Sequence, residues 1–176
     1  MNEVLKAIAK RSSTRAYTEQ KLTEEELNSL VIAGLQAPTS RNEQEIHIAV
    51  LDGSNPILAE IEEEKNKSMG LYNPLNNFYC GAPTVLILSG DAEYYWSKVD
   101  AGVAAENIAI AAESMGLGSL IIGCIKDAMF GEKKAYFEDA LKFPKGYEYE
   151  VAIALGHKAL EKEQHAYSVE KSVTYL

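Results

Sequence analysis

Apolar positions along this 176-residue chain recur in two different periods, and the switches between them predict its elements. Val4, Leu5 and Ile8 share one face at helical spacing, so a short amphipathic helix is expected before the polar run 10–14. Thr23-Glu24-Glu25-Glu26 forms a capping box in which the Thr23 hydroxyl accepts from the Glu26 amide and the Glu26 carboxylate reaches back. Three acids at the positive end of the dipole support the same start. Leu27, Leu30, Val31, Gly34 and Leu35 continue this second helix until Pro38, which disfavours helical backbone at Ala37.

Beyond a polar loop at 38–44, residues 47–51 read as a buried strand closed by Asp52-Gly53, and Ser54 is the expected cap of a charged helix reaching residue 67. The irregular segment 68–81, with Gly70, Pro74 and Asn76-Asn77, reads as a mobile flap. TVLILS at 84–89 is β-branched and aliphatic throughout, which suits an interior strand covered on both faces. Asp91 opens helical sequence, and 100–115 is Ala, Ile and Val on nearly every side, so this central helix must be buried. Gly116 suits a left-handed C-cap before a buried strand at 119–125, a helix is expected over 126–141, and YEYEVAIAL at 147–155 is the last core strand. The polar remainder, 157–176, is a tail that either frays or wraps a partner chain. With no repeats or linkers, one α+β domain spanning 1–176 accounts for the whole pattern.

Composition narrows the function more than the fold. A formal net charge of -9 repels polyanions, which makes nucleic acid an unlikely partner. The most membrane-like stretch, 101–125, carries Glu106, Asn107 and Glu113 in its interior, each costly in hydrocarbon, so no membrane partner is expected. The first residues, MNEVLKAIAKRSS, lack a continuous apolar stretch, which argues for a soluble cytoplasmic protein. Cys80 and Cys124 are too few and too distant in sequence for a metal site or a disulfide framework, and both read as reduced thiols in or near the core.

Three segments carry candidate chemistry. Arg11-Ser12-Ser13-Thr14-Arg15 gathers two guanidiniums and three hydroxyls at a helix end, a donor set suited to phosphate. Ala37-Pro38-Thr39-Ser40-Arg41-Asn42-Glu43-Gln44 concentrates polar groups between a helix and a strand. Gly116-Leu117-Gly118-Ser119, leading to Ile121-Ile122-Gly123, is the third, although it precedes a strand where a dinucleotide loop would precede a helix. Each taken alone is an ordinary connection. No catalytic triad and no metal-ligand spacing is visible.

In order and separation, however, these segments resemble the nitroreductase family of FMN enzymes. RSSTRAY is similar to the family's opening Arg-x-Ser-x-Arg/Lys motif, and APTSRNEQ to its Pro-Ser-x-x-Asn-x-Gln loop. FYCGAPTVLIL, DAGVAAENIAIAAESMGLGS and EVAIALG are similar to the family's strand entry, central helix and last strand. The resemblance implies a nitroreductase-like α+β fold, a central mainly antiparallel sheet flanked by helices, in an intertwined homodimer whose 157–176 tails extend onto the partner.

It also implies roles. Arg11 and Ser13 would hold the FMN phosphate, with Ser12 and Arg15 near the ribityl chain and the flavin's pyrimidine edge. Pro38, Thr39, Ser40 and Asn42 would reach the flavin from the other subunit, and the backbone amide of Ile122 or Gly123 would point at flavin N5. The family's C-terminal Arg or Lys is absent here, so His165 is the expected substitute, with Lys158 as runner-up. Glu45 stands where the family often has Pro. The implied activity is electron transfer from NADH or NADPH through FMN to a small nitroaromatic, quinone or similar acceptor, by a ping-pong mechanism and with no side chain as catalyst. The alternative is an FMN-binding carrier or redox-responsive protein of the same fold without nicotinamide turnover.

Overall fold

The wholly apolar run at 84–89 becomes an interior strand of a four-stranded antiparallel sheet in the computed structural model, which describes residues 2–69, 77–163 and 166–176. The strands are β1 (His47–Asp52), β2 (Thr84–Asp91), β3 (Leu117–Ile122) and β4 (Tyr147–His157), ordered β1-β2-β4-β3. Register places Ile87 and Ile122 on either side of Ala152, with a bulge in β2 between Leu88 and Ser89.

Alternation then decides the two layers, because successive side chains on a strand point to opposite faces. Val85, Ile87, Ala152 and Ala154 face a layer made by α3 (Pro56–Met69), α5 (Lys126–Met129) and α6 (Lys134–Ala140), where Leu58, Ile61 and Phe137 are fully buried. Leu86, Leu88, Ile153 and Leu155 face α4 (Ser97–Ser114), buried through Ala104, Ala105, Ile108, Ala109 and Ala112. Against α4 pack α1 (Glu3–Lys10) and α2 (Glu24–Leu35). Close approach of α2 needs Gly34, since a Cβ there would stand 2.8 Å from Ile108 Cδ1. Among the described residues no helix is long and apolar enough to cross a membrane.

Several expectations hold in detail. The capping box at Thr23 and Glu26 forms with both of its hydrogen bonds, and Gly116 takes a φ of +76°. Others need correction. β1 is an edge strand with most of its side chains only half-buried or exposed, because it pairs with β2 alone. α3 is capped by Asn55, whose Oδ1 accepts from Ile57, while Ser54 turns back to Asp52. Asp91 ends β2 and caps a turn, so the helix opens only at Ser97. The helix expected over 126–141 is broken into α5 and α6 near Gly131, where an added Cβ would stand 3.0 Å from the Asp127 carbonyl oxygen. α1 forms where its spacing predicts, with Ala7 buried and Val4, Leu5 and Ile8 exposed. Residues 70–76 of the flap fall outside the described residues. The stretch 77–82 folds onto the α3 layer, with Phe78 buried and Tyr79 donating to the Gly53 carbonyl at 3.1 Å.

Phe137 is fully buried where α6 meets the sheet. Phe137→Ala is expected to cost about 3–5 kcal/mol, read as a lower urea midpoint at unchanged slope.

Candidate functional site

The basic cluster leaves α1 at its C-cap, where the Arg11 amide still donates to Ala7, and then runs along the open edge of β3. Ser13 pairs in parallel with Ser119, and the Thr14 amide donates to the Ser119 carbonyl at 2.8 Å. Thr14 is buried against Gly118, where an added Cβ would come within 2.6 Å of its Oγ1. The Tyr17 hydroxyl then donates to the carbonyls of Thr14 and Ala154, and burial pushes its pKa up, so it stays a donor. Thr18 donates to the His157 carbonyl and Ala159 to that of Ala16, which fastens the strap to the end of β4.

This strap sets four predicted site residues in a row. Ser12 and Ser13 are half-buried, Arg15 is exposed, and Arg11 meets Glu106 of α4 with Nε 3.5 Å from Oε1. At the far end of β3, Ile122 is buried and its carbonyl accepts from Tyr149 at 2.8 Å. Gly123 beside it is exposed, with no heavy atom within 4 Å of where a Cβ would stand. Open space therefore adjoins the strand end.

The second loop is built differently. Residues Ser40–Asn42 form a 3-10 turn in which Arg41 and Asn42, and then Gln44, take left-handed φ values of 55°, 58° and 51°. Such strain persists only where the surroundings over-determine the backbone. Here the Ser40 amide donates to Asp100 Oδ2 at 2.8 Å, Tyr94 donates to the Ser40 carbonyl at 3.0 Å, and Gln44 donates to Thr39 Oγ1 at 2.9 Å. Thr39 and Ser40 are half-buried, whereas Pro38 and Asn42 are exposed.

Within one chain the two loops stay apart. Arg11 meets α4 at Glu106 and Ser40 meets it at Asp100, six residues earlier and roughly 120° around the helix at 100° per residue. The strap shares its flank with α1, and the second loop shares its own with α2, whose Ala33 carbonyl accepts from Asn107 at 3.2 Å.

His165 lies outside the described residues. Lys158 is committed elsewhere: it forms a nearly buried ion pair with Glu113 at 2.8 Å, which ties the end of β4 to the end of α4. His47 is a packing residue, edge-on to Phe143 and 3.3 Å from Ser89 Oγ, and burial lowers its pKa. Glu62 on α3 accepts from the Phe78 amide at 2.8 Å and from Asn66 at 3.1 Å. Cys80 is half-buried as expected, but Cys124 is exposed. Tyr17 and Asp100 were not singled out by their sequence context, because their partners are distant in the chain.

This α+β fold has close counterparts among solved proteins. A nitroreductase with bound FMN from Desulfitobacterium hafniense DCB-2 matches with a TM-score of 0.89 at 28% identity, over 100% of this chain and 99% of that one. A nitroreductase with bound FMN from Bacteroides fragilis NCTC 9343 gives 0.88 at 25% identity over 100% of both chains. A Bacillus subtilis (strain 168) protein named FMN reductase, NAD(P)H form, is 28% identical over 178 residues, covering 90% of this chain and 67% of its own length. The model of the nitroreductase family matches residues 8–157, and the chain belongs to that family.

The contact between Thr14 and Gly118 supports the strap directly. Gly118→Ala is expected to destabilise the fold by about 1–3 kcal/mol in urea unfolding. Thr14→Ala added to it is expected to recover part of that loss, since the threonine side chain is what the new methyl meets.

Proposed function

We propose that the chain, residues 1–176 as one domain, is an FMN-dependent oxidoreductase working as a cytoplasmic homodimer. It passes electrons from NADH or NADPH to a small nitroaromatic, quinone or similar acceptor, donor and acceptor using the same site in ping-pong order. The observation that carries this reading is the strap, which sets guanidiniums and hydroxyls along β3, whose far end borders open space at Gly123.

The residues present fit the cofactor. Arg11 and Ser13 suit a phosphate, because a guanidinium gives charge-assisted hydrogen bonds and the hydroxyl adds a further donor. For Arg11 this means exchanging its 3.5 Å contact with the half-exposed Glu106 carboxylate for a stronger anion. Ser12 and exposed Arg15 continue the row, and Arg15 supplies positive charge where a reduced ring would gather negative charge. The backbone at Ile122 and Gly123 closes it. FMN, when bound, supplies the hydride and electron chemistry itself, and the protein's part is to place the ring and tune its charge.

A second copy of the chain has two tasks in this reading. It brings Pro38, Thr39, Ser40 and Asn42, which stand on the other flank of α4, to the flavin held by the first strap. It also covers apolar surface: Val4 is 60%, Leu5 51% and Ile8 45% exposed on α1, as are Ile32 and Leu35 on α2. Contiguous exposed apolar residues of this kind mark association surfaces. The tail 157–176 starts anchored on its own protomer by Ala159, and from there wraps the partner with Tyr167, Val173, Tyr175 and Leu176 outward. His165 completes the phosphate contacts.

Purified protein supplied with FMN is expected to show flavin absorbance that bleaches on anaerobic NADH or NADPH addition and returns with acceptor. Tight flavin binding without nicotinamide oxidation under any acceptor would select the carrier instead. Arg11→Ala is expected to raise the FMN Kd about tenfold to a hundredfold, the loss of one charge-assisted hydrogen bond, with little change in unfolding midpoint.

A further inference from the structure

The corner where α4 begins buries acids without matching donors. Glu45 ends the strained loop, is 8% exposed, and neither of its carboxyl oxygens finds a hydrogen-bond donor. Beside it Asp100, 5% exposed, accepts the Ser40 amide through Oδ2 at 2.8 Å. Tyr94 holds the carbonyl of that same Ser40, so the peptide at the loop's centre depends on this corner.

We propose that Glu45 is a positioning residue that works as a neutral acid, donating its carboxyl proton to Asp100 and thereby latching loop 38–46 onto the first turn of α4. An ionised carboxylate buried without a donor is costly, whereas a carboxylic acid has one proton to give and Asp100 has lone pairs to receive it. The charge belongs on Asp100, because it lies in the first turn of a helix, where the dipole favours an anion.

The charged groups that act most on Glu45 are themselves carboxyls. Asp100 faces Glu45 from α4, Glu150 and Tyr147 face it from β4, and Glu43 faces it from its own loop. All four are acids. Burial first, and then the nearby Asp100 charge, raise the Glu45 pKa above the usual carboxylate range. Glu150 is pushed up to about 7, again by burial first, against the opposing charges of Lys98 and Lys126.

The sign of the pH dependence follows. A raised carboxyl pKa means the closed loop binds the proton more tightly than the open one. The latch is therefore complete below the ordinary glutamate pKa and is lost as pH rises through the raised value. The functional consequence rests on the proposed flavin site, since the latched loop carries Thr39, Ser40 and Asn42.

Hydrogen exchange on the full-length chain, without and with FMN, from about pH 5 to about pH 8, tests the latch. Wild type and Glu45→Gln are compared at each pH, so that intrinsic exchange rates cancel. Peptides covering 38–46 are expected to lose protection in wild type relative to Glu45→Gln as pH rises above the ordinary glutamate range, with a slope of at most about tenfold per pH unit, because the amide donates to Asp100 without titrating. Parallel profiles in the two proteins overturn the proposal. Asp100→Asn, which offers an amide donor to an ionised Glu45, is expected to flatten the wild-type loss as well, and it decides the matter if Glu45→Gln fails to fold. FMN titration over the same range separates the two readings. A Kd that rises with pH in wild type alone supports both. A flat Kd alongside the expected exchange leaves the latch standing and removes the loop from the flavin site.

Discussion

The Thr14 amide hydrogen bond to Ser119 does more for this molecule than its length suggests, because it turns a flexible basic loop into an extension of the sheet. A free segment holding two arginines and three hydroxyls would lose much conformational entropy on meeting an anion. Fastened by Ser13, Thr14, Tyr17 and Thr18, the strap has given up that freedom during folding. Binding strength can then go into the contacts themselves, which is what preorganisation means physically. Gly118 is glycine because Thr14 occupies the space of its side chain, so the sheet edge and the strap are fitted to one another.

The other loop is held by the opposite strategy. It is not part of the sheet, and its three left-handed residues are kept in place by Asp100 at the start of α4 and Tyr94 just before it, both on Ser40, and by Thr39 of the loop itself on Gln44. One half of the proposed site is thus rigid by backbone pairing and the other by a few polar contacts in a buried acidic corner. Family relatives with bound FMN share the overall frame at TM-scores of 0.89 and 0.88, so differences in behaviour are to be sought in corners such as this one.

What could be read from the sequence was whatever depends on neighbours in the chain. The capping box at Thr23, the left-handed Gly116, the uninterrupted β2 run and the small-residue α4 are local signals, and all appear as expected. The loops' resemblance to nitroreductase motifs pointed to the right family because motif order survives divergence. Misreadings cluster where a distant partner decides. Asn55 rather than Ser54 caps α3 because Asp52 captures Ser54, and Lys158 is taken by Glu113, 45 positions away. Glu45 was noted only as a departure from the family pattern; nothing in one sequence says that it lies against Asp100. The apolar stripe of α1 marked a helix correctly, but periodicity alone did not say that Val4, Leu5 and Ile8 would lie exposed on it.

The strap also bears on how the molecule avoids self-association through its sheet. Unpaired edge strands template the addition of foreign strands, the usual starting point of aggregation. With Ser13 and Thr14 pairing at Ser119, part of the β3 border is occupied by the chain's own backbone, which leaves β1 as the more exposed side of the sheet. A partly folded form in which α1 and its following residues have peeled away would add the β3 border to the one already open at β1, leaving both sides of the sheet without a backbone partner.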